Sequence, residues 1–153
     1  MADAYQPRGM YFEEFEIGRQ VVTQGRTITE ADIVNFAGLA GDYNPIHTNA
    51  EFAKQTPFGE RIAHGMLGLS IATGLANLLG FMDGTVIAFT GLEWKFKGPI
   101  RIGDTIHVTA HVKQTRAVRA AGGGFVVLDV RVRNQREEVV QQGEWTVLVK
   151  SKS

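Results

Sequence analysis

The chain contains no cysteine, which excludes disulfides, thiolate zinc sites and a cysteine nucleophile. It has no net charge either, with 16 Lys+Arg against 16 Asp+Glu. Long apolar runs are also missing. Residues 66–82 form the most apolar stretch, but Ser70, Thr73 and Asn77 interrupt it and it falls short of the roughly 20 residues that a membrane span needs. The first 16 residues are acidic and aromatic, with no basic segment leading into an apolar one, so they do not read as a secretory signal. Together these absences predict a cytoplasmic protein with no membrane association.

The zero net charge hides an asymmetry. Through residue 94 there are 5 Lys+Arg against 11 Asp+Glu, and from residue 95 onward 11 against 5. The basic half has no run of adjacent cations and few aromatics between them, which argues against a nucleic-acid surface. Solvent-facing strand residues explain it, as does a docking surface for the phosphates of a charged ligand. With 44% hydrophobic and 21% charged residues over 153 positions, the composition predicts one ordered domain spanning 1–153 with a proper core.

Periodicity changes along the chain. Residues 11–18 mix aromatics with carboxylates as a lead-in, and Gln20 to Ile28, rich in β-branched residues, reads as a strand. Thr29 is a good helix N-cap with Asp32 three residues on; Ile33, Phe36, Ala37 and Ala40 keep one face apolar, and Gly41 follows where a C-cap glycine belongs. Asn49 can cap a short helix through Gln55, stopped by Pro57. From His64 to Leu79 the residues are apolar nearly all round, the mark of a buried helix. Gly65, Gly68 and Gly74 weaken that helix by roughly 1 kcal/mol each, so something is expected to approach its backbone closely. From Thr85 the period becomes two: Val86 to Lys97, Asp104 to Val118, Phe125 to Asn134 and Val139 to Val149 are four long strands. Ile106, Val108, Ala110 and Val112 share a face, as do Val126, Leu128, Val130 and Val132, so one side of the sheet is covered and the other wet. The long helix is the obvious cover, giving an α+β domain with an antiparallel sheet wrapped around one buried helix.

Chemistry concentrates in residues 41–68. Asp42 and His47 flank Asn44-Pro45, and a helix would place residues five apart about 140° apart around its axis. An irregular, proline-stiffened loop over 41–47 is therefore expected to turn the carboxylate and the imidazole on one point. The same pattern also fits a turn followed by an exposed histidine.

The sequence Gly41-Asp42-Tyr43-Asn44-Pro45-Ile46-His47, then Phe58-Gly59, then Ile62-Ala63-His64-Gly65-Met66, resembles the MaoC-like (R)-specific enoyl-CoA hydratases, the hydratase 2 group of the hot-dog fold. The likeness extends from about Phe12 to Lys150. It implies a homodimer whose sheets join edge to edge, with thioester substrates carried on coenzyme A or acyl carrier protein and no separate cofactor. Carried over by position, Asp42 and His47 correspond to the acid/base pair holding the reacting water. Asn44 would orient that water or hold the loop, and the Gly65 amide at the helix start would bind the oxyanion. His64 would assist at the thioester or serve packing. Phe36, Leu39, Met66 and Leu67 are expected along the acyl chain. Lys97, Arg116 and Arg119 are candidates for nucleotide phosphates, with no motif to choose among them. No HExxH-type spacing supports a metal site from Asp42, His47 and His64, and none is expected. The resemblance thus implies a hydratase or dehydratase of 2-enoyl and 3-hydroxyacyl thioesters. A thioesterase on the same fold and a non-catalytic acyl-thioester-binding protein are the competing readings.

Overall fold

The computed structural model describes residues 5–152. A five-strand antiparallel path runs β1 (Gln20–Val22), β4 (Thr105–Val118), β5 (Gly123–Arg133), β6 (Val139–Lys150), β3 (Val86–Phe96), and β2 (Arg26–Thr27) also pairs with β4. The α4 helix (Gly65–Leu78) carries the buried side chains Leu67, Leu69, Ala72, Leu75 and Ala76 into the hollow of this sheet. The opposing wall is the predicted one: Ile106, Val108, Ala110 and Val112 on β4, and Val126, Leu128, Val130 and Val132 on β5, are all buried. Each fully buried aliphatic side chain contributes roughly 1.5–3 kcal/mol, so these two strands alone supply much of the drive to close the sheet on the helix. This is the hot-dog fold.

The expected single strand from Gln20 to Ile28 is two short pieces. Thr23 interrupts it, turning its hydroxyl to accept from the Val108 amide at 2.9 Å. Elsewhere the element boundaries fall within two residues of those expected.

The α1 helix (Glu30–Ala40) begins at a capping box. The Thr29 hydroxyl accepts from the Asp32 amide while the Asp32 carboxylate accepts from the Thr29 amide at 2.8 Å. It ends at Gly41, whose φ of 75° lies in the left-handed region where a side chain is disfavoured. That reversal throws the chain out of the helix at Asp42. Residues 41–47, expected to be irregular, are not so throughout. Asn44 caps a helical turn, α2 (Pro45–Thr48), its side chain accepting from the Ile46 amide at 3.2 Å. Pro45 occupies the first helical position, where its missing donor costs nothing and its fixed φ suits the helix. Asp42 therefore lies in the lead-in and His47 on the turn, and this junction relates them. The α3 helix (Ala50–Lys54) follows, capped by Asn49 as expected.

Candidate active site

His64 precedes α4 and points back at the loop. Its Nε2 donates to the Asp42 backbone carbonyl at 2.9 Å, and its ring stacks on His47 with centroids 3.9 Å apart and planes 27° apart. The Phe36 ring of α1 also packs against it, tilted by 59° with centroids 4.9 Å apart. His47 is fixed by a second backbone acceptor, with Nδ1 2.8 Å from the Ile62 carbonyl. A carbonyl only accepts, so in the neutral imidazole Nδ1 carries the hydrogen and Nε2 keeps a free lone pair. Asp42 spends one carboxylate oxygen on the Asn44 amide at 3.1 Å and remains exposed. Donor atoms of Asp42, His47 and His64 lie within 4.8 Å of one another. The chain thus gathers a carboxylate, a basic nitrogen and a buried imidazole at one point.

The same atoms invite comparison with a metal site. An imidazole binds an ion through a ring-nitrogen lone pair, and here His47 Nδ1 and His64 Nε2 are each already committed as donors to a backbone carbonyl. The arrangement suits holding a small neutral molecule between carboxylate and imidazole better than chelation.

A cavity of about 500 Å³ opens beside the group, bordered by His47, Ile62, Gly65, Met66, Phe96 and Gln141, with Lys97 at its rim. Two loops frame it. The Ala63 amide donates to the Ile100 carbonyl at 2.8 Å, and Arg101 reaches back to the Phe58 carbonyl at 2.8 Å and to Glu60 at 2.6 Å. The first amides of α4, Gly65 and Met66, find no acceptor among the described residues. They lie at the positive end of the helix and are available to an anion.

Of the residues expected at the acyl chain, Met66 borders the cavity and three do not. Leu39 is 85% exposed on α1, Leu67 is buried under α4 in the core, and Phe36 faces His64 instead. Nearness in sequence does not set which way a side chain faces: Leu39 stands on the exposed side of α1 and Leu67 on the buried side of α4. The cavity's apolar wall comes instead from Phe58, Ile62, Phe96, Pro99 and Ile100, and the Gly98-Pro99 turn was the available signal for part of it. Asn44 shapes the loop through its bond to the Ile46 amide. Arg116 lies over the Phe125 ring at 4.9 Å, on a strand that does not border this cavity.

A sheet rolled around a helix, with a carboxylate and two imidazoles gathered where the chain enters that helix, is the hot-dog architecture with a candidate site at the helix start. Residues 13–134 match the family described as MaoC like domain, and the chain belongs to that family. It is 32% identical over 145 residues, 95% of this chain and 87% of the relative, to 3-hydroxybutyryl-CoA dehydratase of Methylorubrum extorquens. To the (R)-specific enoyl-CoA hydratase of Rhodospirillum rubrum it is 40% identical over 102 residues, 67% of this chain and 69% of that enzyme. Protein MaoC of Klebsiella aerogenes is 42% identical over 113 residues, which make up 73% of this chain and 33% of that longer protein. Among solved structures, a monoamine oxidase regulatory protein from Archaeoglobus superposes with a TM-score of 0.89 at 39% identity, covering 95% of this chain and 97% of that one.

Proposed function

We propose that the protein is an (R)-specific hydro-lyase interconverting trans-2-enoyl and (3R)-3-hydroxyacyl thioesters of coenzyme A or acyl carrier protein. The observation that carries this is the meeting of the Asp42 carboxylate with His47, which itself borders a cavity headed by the free α4 amides.

In the hydration direction the thioester carbonyl oxygen lies against the Gly65 and Met66 amides, and water is held between Asp42 and His47. His47 Nε2 takes one proton from the water as its oxygen bonds to C3. The C2–C3 π pair moves toward C1, and negative charge builds on the carbonyl oxygen, where the amides stabilise it. The imidazolium then delivers its proton to C2 on the same face. Asp42 holds the second hydrogen of the water and offsets the imidazolium charge. One proton enters the protein and one leaves, so no metal or redox group is required. Lys97, at the cavity rim and without an ion-pair partner among the described residues, is the cation placed to meet a phosphate of the carrier.

The proposed working unit is a homodimer in the cytoplasm. What supports a dimer is β3: it is the long edge strand of the sheet, and Leu92 and Phe96, on the same face as Trp94, are left exposed there. The decisive assay follows loss of enoyl-thioester ultraviolet absorbance, with chiral analysis of the product. Release of free thiol without a hydroxyacyl product would instead identify a thioesterase. Saturable binding without turnover would identify a binding protein.

A further inference from the structure

Gln141 is a polar side chain 2% exposed at the inner wall of the cavity, and the catalytic scheme does not use it. Its orientation is fixed by its partners. Oε1 accepts from the Trp94 indole Nε1 at 3.0 Å, and an indole nitrogen only donates; Nε2 donates to the Gly65 carbonyl at 3.0 Å, and a carbonyl only accepts. A flipped amide would face a donor with a donor and an acceptor with an acceptor. Two glycines make room for this. Gly143 stands opposite Trp94 on β6, and a Cβ there would strike the Glu93 carbonyl and the indole ring; at Gly68 a Cβ would overlap Gln141 Nε2 and Ile100.

The Gly65 carbonyl shares a peptide plane with the Met66 N–H, which points the opposite way, toward the start of α4. Trp94 N–H, the Gln141 amide and the Gly65–Met66 peptide therefore form three dipoles aligned head to tail, ending on an amide that borders the cavity. Bonds in such a chain polarise one another, and the bond to the carbonyl also fixes the tilt of the peptide plane. We propose that Trp94 and Gln141 are positioning residues for oxyanion stabilisation: they orient the Met66 amide and strengthen it as a donor to the thioester carbonyl. The inference rests on the hydratase reading and extends it to groups that do not touch the reacting atoms.

The test uses Gln141→Met, which keeps bulk and removes the amide, and Trp94→Phe, which removes the indole donor while keeping an aromatic ring against Trp145. Because the contribution is to a bond that strengthens in the transition state, kcat falls about tenfold in Gln141→Met with KM within about threefold. Trp94→Phe gives a smaller loss of the same kind, and in the Gln141→Met background it adds less than about twofold, since the relay is already cut. A second readout needs no turnover. In an Asp42→Asn background, bound cinnamoyl-CoA shows a red-shifted absorbance from carbonyl polarisation, and the shift shrinks when Gln141→Met or Trp94→Phe is added. A kcat within twofold of the parent, or an unchanged red shift in either variant, overturns the relay. If Gln141→Met does not fold, Trp94→Phe alone carries both measurements. Absence of hydration by the parent protein across enoyl thioesters defeats the hydratase reading instead, and the absorbance of the bound thioester still decides the relay.

Discussion

His64 donates to the backbone carbonyl of Asp42 at 2.9 Å and lies flat against His47, so one buried side chain fixes both members of the proposed acid/base pair. His64→Phe keeps a ring for the stack and loses the donor. Its Nδ1 has no partner among the described residues, so removing it relieves a desolvation cost that offsets the lost hydrogen bond, itself worth about 1 kcal/mol. Denaturant unfolding should therefore shift by no more than about 1 kcal/mol, whereas kcat should fall at least about tenfold as the loop loosens. His64→Gln, which can present a donor near the position of Nε2, should restore part of the rate. A large stability loss with unchanged kcat would make His64 a core residue and nothing more.

Removing either half of the pair should stop the chemistry and spare the fold. Asp42 is exposed and His47 half-buried, so Asp42→Asn and His47→Gln create no cavity. General acid/base groups contribute roughly 10²–10⁴-fold, and kcat should drop by that much in each variant while the unfolding midpoint stays within a degree or two. Near-normal hydration by either one would refute the proposed roles.

Much of this site was legible before any coordinates, for reasons particular residues make plain. Asp42, His47 and the helix-start glycine are tied to local signals, namely a left-handed C-cap at Gly41, an Asn-Pro helix entry and a break into an apolar helix, and each of those is set by its own neighbours in sequence. The two inner strand faces were legible too, because Val126 through Val132 repeat at every second position. The cavity wall was not. Phe96, Ile100 and Gln141 reach it through strand pairing and loop closure over dozens of residues, and Gln141 looks like any polar strand position until its register with Phe96 is known. Leu39 misled for the converse reason, being near the motif in sequence and turned to the outside in space.

Gly68 offers a test of the packing on α4 that reads stability rather than turnover. Alanine is the better helix former by about 1 kcal/mol, so propensity alone predicts stabilisation by Gly68→Ala. The added methyl group would instead meet Gln141 and Ile100, and overpacking of a filled core typically costs 1–3 kcal/mol. Net destabilisation of about 1–2 kcal/mol is expected in urea unfolding, and a gain in stability would show that the helix does not lie this close to β6.

The free edge of β3 makes a concrete prediction about assembly. Leu92 is exposed there on the face that carries Trp94, and a lysine on an edge strand discourages pairing with another chain. Leu92→Lys should convert a dimer to monomer in sedimentation or light scattering with little change in the far-ultraviolet circular dichroism of the monomer. An unchanged mass would move the interface elsewhere.

The capping box at Thr29 and Asp32 connects stability to pH. Burial raises the Asp32 carboxyl, but the Thr29 amide and hydroxyl and the Arg26 guanidinium outweigh it and hold the group below its ordinary value. A carboxyl depressed in the folded state binds fewer protons there than when unfolded. Its contribution is therefore complete above the unfolded value of about 3.9 and is lost as pH falls through the lower folded value. Asp32→Ala should cost about 1 kcal/mol at pH 7, in the range of other helix caps. In urea unfolding at stepped pH that difference should hold down to about pH 4 and shrink below it. A penalty that stayed constant to the acid limit would mean that Asp32 stabilises the start of α1 through packing rather than charge.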